Sequence, residues 1–301
     1  MKLGFAVPAT GSWATPDNQV TIAQLAEQHG YHSVWVLQRL LNPLDLTIGT
    51  YRNTPDPLVT LAYLAGVTDR VRLGVAVVNL PFFSPALLAQ QSATLDRVSR
   101  GRLDLALGLG WLPAEFEASG IGMDRRGARA DEFVQLLDAL WTKEIIEHQG
   151  EFYRVPATRL EPKPVQQPRP PLLLGGGTSA GYRRVGRLAD GWVSASRHDL
   201  TEIGVAIGEI KDAARENGRD PDSLRFVVRA VLAVGGAGPA DRKPLSGSAD
   251  QIRADFDRLA AQGVTEAFID LNFDAEHVGM DVDPAASLDY AQSLLTEFAP
   301  R

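Results

Sequence analysis

The sequence predicts an α/β protein whose strands close into a (β/α)8 barrel with insertions at the C-terminal face, one domain over residues 1–301. Three observations carry this expectation. Short apolar runs alternate with longer amphipathic stretches, the rhythm of parallel strands joined by crossover helices. Eight such runs occur, the number a barrel of this type uses. Several are apolar on both faces, as strands are when side-chain layers fill one side and helices cover the other. An open doubly wound sheet shares the rhythm but places a G-x-G-x-x-G turn after its first strand. Here the first run ends in Pro8, Ala9, Thr10 and Gly11.

In chain order the runs cover residues 3–7, 33–37, 71–78, 102–110, 171–176, 191–195, 226–234 and 266–273. Helix signals stand between them. Asp17 precedes VTIAQLAEQHG, and Ser248, Ala249 and Asp250 precede QIRADFDRLAAQG, with Gly30 and Gly263 as C-terminal stops. Two longer segments break the rhythm, residues 38–56 after the second run and 111–129 after the fourth. Both follow the C-terminal end of a strand, the face on which such barrels build their sites. The proline-rich stretch 152–171 is expected to run as an extended surface connection.

Hydrophobic residues make up 45% of the chain and charged residues 22%, a balance that supports a substantial core and excludes disorder. The 30 basic and 37 acidic residues leave a formal charge of −7, and no basic block forms a nucleic-acid footprint. DNA and RNA are therefore not expected as partners. The absence of cysteine removes disulfides, thiolate metal sites and a cysteine nucleophile, and fits a reducing cytoplasm. His29, His32, His148, His198 and His277 are scattered without metal-ligand spacing, so no metal centre is expected. MKLGFAVP reads as a buried strand rather than a signal peptide, and no run reaches membrane-spanning length. A cytoplasmic protein acting on a small molecule, away from membranes, is the expectation.

Three stretches carry candidate chemistry. In LLLGGGTSAGYRRVGRLADGW a buried strand passes through Gly175, Gly176 and Gly177 into a helix starting near Thr178 or Ser179. Glycines let backbone approach a ligand, and free amides at a helix start favour an anion. The turn reads either as a phosphate seat or as a tight turn whose glycines serve backbone geometry alone. In LALGLGW, Gly108 and Gly110 leave room at a strand end, and Trp111 either walls a ring-shaped pocket or packs under the insertion. Arg125, Arg126 and Arg129 follow, a basic cluster suited to a phosphate or carboxylate, or a solvated helix start. GVAVVNLPFFSP runs to Asn79 and delivers Phe82 and Phe83 to the rim, as a wall for a planar ligand or as a cap on the core. Tyr51, Trp13 and Trp111 point to an aromatic lining. No Ser-His-Asp order, nucleophile elbow or P-loop occurs.

With these elements in this order, the chain resembles the luciferase-like monooxygenase superfamily, and within it the actinobacterial oxidoreductases that depend on the deazaflavin coenzyme F420. The resemblance rests on VRLGVAVVNLPFFSPALLAQQSATLDRVSRGRLDLALGLGWLPAEFEASGI, RRGARADEFVQLLDALWT, EPKPVQQPRPPLLLGGGTSAGYRR and ADGWV, and spans nearly the whole chain. It implies a TIM barrel of the bacterial luciferase type holding F420, or alternatively FMN, at its C-terminal face. The ring would lie against a bulged third strand that often carries a non-proline cis peptide. Carried over, the bulge falls at Val75, Ala76 and Val77, with Asn79 close to the ring. Phosphate contacts carry over to Gly108, Gly176, Gly177, Thr178 and Ser179, with Gly110 and Gly175 as further cofactor contacts, and Arg125, Arg126 and Arg129 as candidates for the acidic tail of the deazaflavin.

Many F420 enzymes of this family end the second strand in an Asp-His pair. Gln38 and Arg39 stand there instead, which leaves both as catalytic candidates and Arg39 as a candidate holder of an anionic substrate or cofactor tail. The implied activity is hydride transfer between F420 and a small organic substrate. The alternatives are an FMN-dependent monooxygenase served by a flavin reductase, and a non-catalytic flavin-binding protein. The resemblance also implies a homodimer. Outside redox chemistry, a phosphate-handling isomerase or aldolase would need a lysine or carboxylate at a strand end, where Asp270 is the main carboxylate; Asp104 lies within the fourth strand.

Overall fold

The computed structural model describes residues 1–45 and 51–300. In chain order the elements are β1 (Lys2–Ala6), α1 (Pro16–Gln28), β2 (Ser33–Val36), α2 (Pro57–Ala65), β3 (Arg72–Asn79), α3 (Pro85–Val98) and β4 (Leu103–Gly108). The chain continues through α4 (Pro113–Ala118), α5 (Arg126–Thr142), β5 (Ile146–Gln149), β6 (Arg154–Thr158), β7 (Leu172–Gly175), α6 (Ser179–Leu188) and β8 (Gly191–Val193). It closes with α7 (Ile203–Glu216), β9 (Arg225–Ala230), β10 (Ala233–Val234), β11 (Ser246–Gly247), α8 (Ala249–Ala261), β12 (Glu266–Ile269), α9 (Ala275–Val278) and α10 (Pro284–Glu297). Each apolar run of the sequence supplies one barrel strand. The closed order is β1-β12-β9-β8-β7-β4-β3-β2, parallel throughout.

Alternation along each strand sends successive side chains to opposite faces of the barrel wall. Along β9, Phe226, Val228 and Ala230 join the outer core beneath the helices, while Val227 joins a separate interior cluster. The inner side chains stack in layers, which is how barrels of this kind fill their centre. At the N-terminal ends sit Arg72, Asp104, Arg225 and Glu266. Above them Ala6, Trp35, Ala106, Leu173, Val193, Val227 and Phe268 form an apolar plug. Trp35 stacks on Phe268 with ring centroids 4.7 Å apart. Gly74 makes room for the indole, since a Cβ there would lie 2.4 Å from it. Beyond the plug, Gly108, Gly175, Arg229 and Asp270 face the C-terminal opening.

The N-terminal layer is electrostatically closed. Asp104 accepts from Arg72 at 2.7 and 2.8 Å and from Arg225 at 2.6 and 3.1 Å, and Glu266 accepts from Arg225 at 2.7 and 2.8 Å. Burial alone would push the Asp104 carboxyl upward, but the Arg72 hydrogen bonds and the Arg225 charge outweigh it and hold it at about 2.

The helices start where side chains meet their orphan amides. α8 starts at the expected signal, where Ser248 is the cap and forms a capping box with Gln251. α1 begins ahead of Asp17, because Thr15 accepts from the Asn18 amide and Pro16 occupies the first turn. Two segments differ from expectation. The stretch 152–171 is not wholly an extended connection, since β6 lies within it and pairs antiparallel with β5. The run 226–234 is not one strand: β9 ends at Ala230, and β10 pairs with β11 outside the barrel. Residues 46–50 of the first insertion lie outside the described residues. Among the described residues no helix is long and apolar enough to cross a membrane, and no group of three or more potential ligands is placed to hold a metal ion.

Candidate cofactor cleft

The C-terminal ends of β3, β4, β7 and β8 frame a cleft of about 430 Å³, within the range of small-molecule sites. Its shape follows from one irregularity. The β3–β4 register shifts between Val75 and Val78, and the Ala76–Val77 peptide is cis. The Val77 side chain lies over the neighbouring strand ends. A Cβ on Gly108 would lie 2.5 Å from Val77 Cγ2, and one on Gly175 would lie 3.3 Å from Val77 Cγ1. Packing alone requires glycine at position 108, whereas at position 175 a Cβ would make Val77 give by a few tenths of an ångström.

The next glycines divide the two readings of the turn. Gly176 adopts φ +150, a conformation that favours glycine, and its carbonyl accepts from Trp192 Nε1 at 2.9 Å. Gly177 has neither constraint: it is outside the left-handed region, and a Cβ there would meet nothing within 4 Å. Backbone geometry and packing leave this glycine unexplained. It lies where α6 begins, with Thr178 as the cap accepting from the Gly181 amide at 3.2 Å. The first amides of a helix have no intrahelical acceptor, so this corner favours an anion.

Arginines surround it. Arg39, Arg126, Arg184 and Arg229 all line the cleft, and among the described lining residues there is no Asp, Glu, His, Lys or Cys. Arg126 donates to the Gly110 carbonyl at 3.2 Å. Arg184 is held by Asp131 and by the Gly127 carbonyl at 3.1 Å. Asp270, the carboxylate that an isomerase or aldolase would require, lies 1% exposed beneath Arg229 and outside the lining.

Of the residues singled out by sequence, Ala76, Val77, Asn79, Gly108, Gly110, Arg126, Gly175, Gly176, Gly177 and Thr178 come together around this cleft. Val75, Arg125 and Ser179 do not. Val75 faces the outer core. Arg125 turns outward to Glu151 at 2.9 Å and over the Phe152 ring at 5.3 Å. Ser179 donates to Glu209 at 3.2 Å. Arg129 lies 5.0 Å from the Phe152 ring and is also outside the lining. Phe82 and Phe83 do not wall the cleft either: Phe82 packs edge-on against Phe116 of the second insertion at 5.2 Å. Trp13 is fully buried away from the cleft, whereas Tyr51 and Trp111 line it.

Both catalytic candidates line the cleft with partners already in hand. Gln38 Oε1 accepts from the Asn79 amide at 2.7 Å, fixing the end of β3. Arg39 Nη1 donates to Glu115 at 2.9 Å, while the other Glu115 oxygen accepts from the Leu40 and Leu41 amides at 2.7 and 3.2 Å. The Arg39 guanidinium lies 4.3 Å from the Tyr51 ring and 4.8 Å from the Trp111 ring. It therefore ties the two insertions together over the cleft. Sequence reasoning missed Arg184 and Arg229. A charged residue inside the apolar run FVVRAVLAV was the available signal for Arg229.

The residues present fit a phosphate-bearing flavin-type group. Gly177 leaves open space that a side chain would enter, the cleft is of small-molecule size, and the Nε atoms of Arg39 and Arg229 are buried without a partner among the described residues. Fold and cleft together define a (β/α)8 barrel with an arginine-lined cleft at its C-terminal face. More particularly, the chain matches the luciferase-like monooxygenase family over residues 1–243 and belongs to it. A Mycobacterium tuberculosis protein is 32% identical over 275 residues, 82% of this chain and 95% of the relative. The oxygenase component of a flavin-dependent trigonelline monooxygenase from Acinetobacter baylyi is 36% identical over 158 residues, 52% of this chain and 42% of that protein. The solved coenzyme F420-dependent tetrahydromethanopterin reductase of Methanopyrus kandleri has the same fold, with a TM-score of 0.76 at 16% identity over 99% of this chain and 97% of that one.

Proposed function

We propose that the protein is an oxidoreductase that uses coenzyme F420 to move a hydride to or from a small organic substrate. The observation that carries this reading is Gly177, a glycine that the protein's own geometry does not require, at a helix start facing a cleft lined by arginines. In this reading Gly176, Gly177, Thr178 and Arg126 hold the phosphate, and the Ala76–Val77 bulge with Asn79 backs the ring. The bound coenzyme supplies the two-electron chemistry. The chain's residues bind and orient. Gln38 keeps the end of β3 in place through the Asn79 amide, and Arg39 with Glu115 keeps the two insertions over the opening and water out. The lack of carboxylate, imidazole or amine among the described lining residues is consistent with a reaction whose reactive atoms belong to the coenzyme.

A second reading, an FMN-dependent monooxygenase served by a flavin reductase, draws support from the sequence similarity to the trigonelline monooxygenase oxygenase component. Titration of the purified protein with F420 and with FMN, read by cofactor fluorescence, separates the two. The first reading predicts F420 binding at about 1 μM or tighter and FMN at least about tenfold weaker. Tight FMN binding without F420 binding moves the assignment to the second reading. Tight binding of either without turnover on a broad substrate panel would make the protein a flavin carrier. Binding of neither would overturn both oxidoreductase readings.

A further inference from the structure

Arg229 is the uppermost inner side chain of β9 and is 9% exposed at the floor of the cleft. Its guanidinium lies 5.5 Å from the Phe268 ring centroid and 5.1 Å from that of Phe273. Nη1 reaches Asp270 Oδ2 at 3.3 Å, Nη2 donates to the carbonyl of Ala76, and Nε is unpartnered among the described residues. Asp270 is itself held in place. It accepts from the amide and side chain of Asn272 at 3.0 and 2.9 Å, and Asn272 in turn accepts from the Ala9 amide at 2.8 Å and donates to the Val7 carbonyl at 3.0 Å. A chain of polar contacts thus runs from the end of β1 through Asp270 and Arg229 to the bulge of β3.

A buried guanidinium is costly unless fully paired, and an apolar residue would fill a barrel interior at lower cost, as Val227 and Phe268 do one layer below. Arg229 instead has one loose ion pair and one backbone carbonyl, and that carbonyl belongs to the bulge that shapes the cleft. We propose that Arg229 is a positioning residue of the cofactor site: it holds the Ala76 carbonyl, and its pairing with Asp270 sets the charge beneath the bulge. This rests on reading the cleft as a flavin-type cofactor site. Charge close to such a ring tunes its electronics. Where the ring takes up a hydride without a further proton, the reduced form would carry one more negative charge, which the guanidinium would favour and the Asp270 carboxylate would oppose.

The test measures affinity for oxidised and for reduced cofactor, using F420 and FMN as probes, in Arg229→Met, Asp270→Asn, the double variant and Arg229→Lys. Arg229→Met should weaken oxidised-cofactor binding and lower the reduced-to-oxidised affinity ratio about tenfold, equivalent to a fall of about 30 mV for a two-electron couple. Asp270→Asn should raise that ratio. The double variant should return the ratio towards wild type while binding stays weak, because the Ala76 carbonyl remains unheld. Arg229→Lys should restore the ratio and leave affinity impaired. A purely structural role would move both single variants the same way, and that result, or an unchanged ratio in both, overturns the inference alone. Should Arg229→Met fail to fold, Asp270→Asn and Arg229→Lys decide it: the first must raise the ratio and the second must not lower it. A wild-type protein that binds neither probe overturns the proposed function and this inference together.

Discussion

Asp104 and Asp270 are both buried carboxylates inside one barrel, and both face arginine, yet their surroundings differ. At the N-terminal end Asp104 takes two guanidiniums at 2.6 to 3.1 Å, and Arg225 continues to Glu266. At the C-terminal end Asp270 meets one guanidinium at 3.3 Å, whose Nε has no partner among the described residues. The same strands and the same alternation produce both layers. The difference teaches that the lower layer is complete in the protein alone, whereas the upper layer keeps donors and space for something else. This division between a stabilising N-terminal face and a functional C-terminal face is general to the architecture.

Asp104→Asn is the strongest way to test the division. It takes a fully buried carboxylate away from two half-buried guanidiniums, of which Arg225 keeps Glu266, and costs about 3 kcal/mol. Denaturant unfolding should show that loss, while cofactor affinity of the folded protein stays at the wild-type level. An affinity loss in step with the stability loss would break the comparison.

Acid tests the lower layer through protonation. The Asp104 carboxyl lies at about 2 in the folded state against an ordinary 3.8. Its contribution, about 2 kcal/mol, is present above the unfolded value and lost as pH falls through the folded one. Stability measured between about pH 4 and pH 2 should therefore decline more steeply in wild type than in Asp104→Asn.

At the upper end, Gly108→Ala should cost about 1–3 kcal/mol, because its Cβ would press on Val77 at 2.5 Å and Val77 belongs to the bulge. It should also weaken cofactor binding. A smaller effect is expected from Arg126→Gln, which removes a cation from the phosphate side and should weaken FMN or F420 about tenfold with little change in melting temperature. Equal loss for riboflavin, which lacks the phosphate, would place Arg126 elsewhere in the site.

Much of this was legible in the sequence, for identifiable reasons. All eight barrel strands stand out because burial makes most of their residues apolar, several on both faces. The glycines of the cleft stand out because Gly175, Gly176 and Gly177 stand together where an apolar run gives way to a helix. The β5–β6 hairpin was hidden because β6 is largely exposed, contains Pro156, and shows no apolar alternation. The end of β9 was hidden because LAV beyond Ala230 continues the apolar pattern outside the barrel. Arg125 and Arg126 are indistinguishable in sequence, and only the fold shows one facing Glu151 and the other the cleft. Arg229 could not be assigned because its acceptor, the Ala76 carbonyl, lies 153 positions away. Gln38 and Arg39 were visible as departures from a pattern, but their contacts with the Asn79 amide and with Glu115 appear only once the insertions are folded back over the strand ends.

Gly177 separates a phosphate seat from a plain turn most directly. Alanine there meets nothing within 4 Å, so Gly177→Ala should leave the melting temperature of the cofactor-free protein unchanged or slightly raised. If the turn cradles a phosphate, F420 affinity should nevertheless fall at least about tenfold, the loss of one charge-assisted hydrogen bond or more. An alanine variant that melts like wild type and binds F420 equally well would contradict the account.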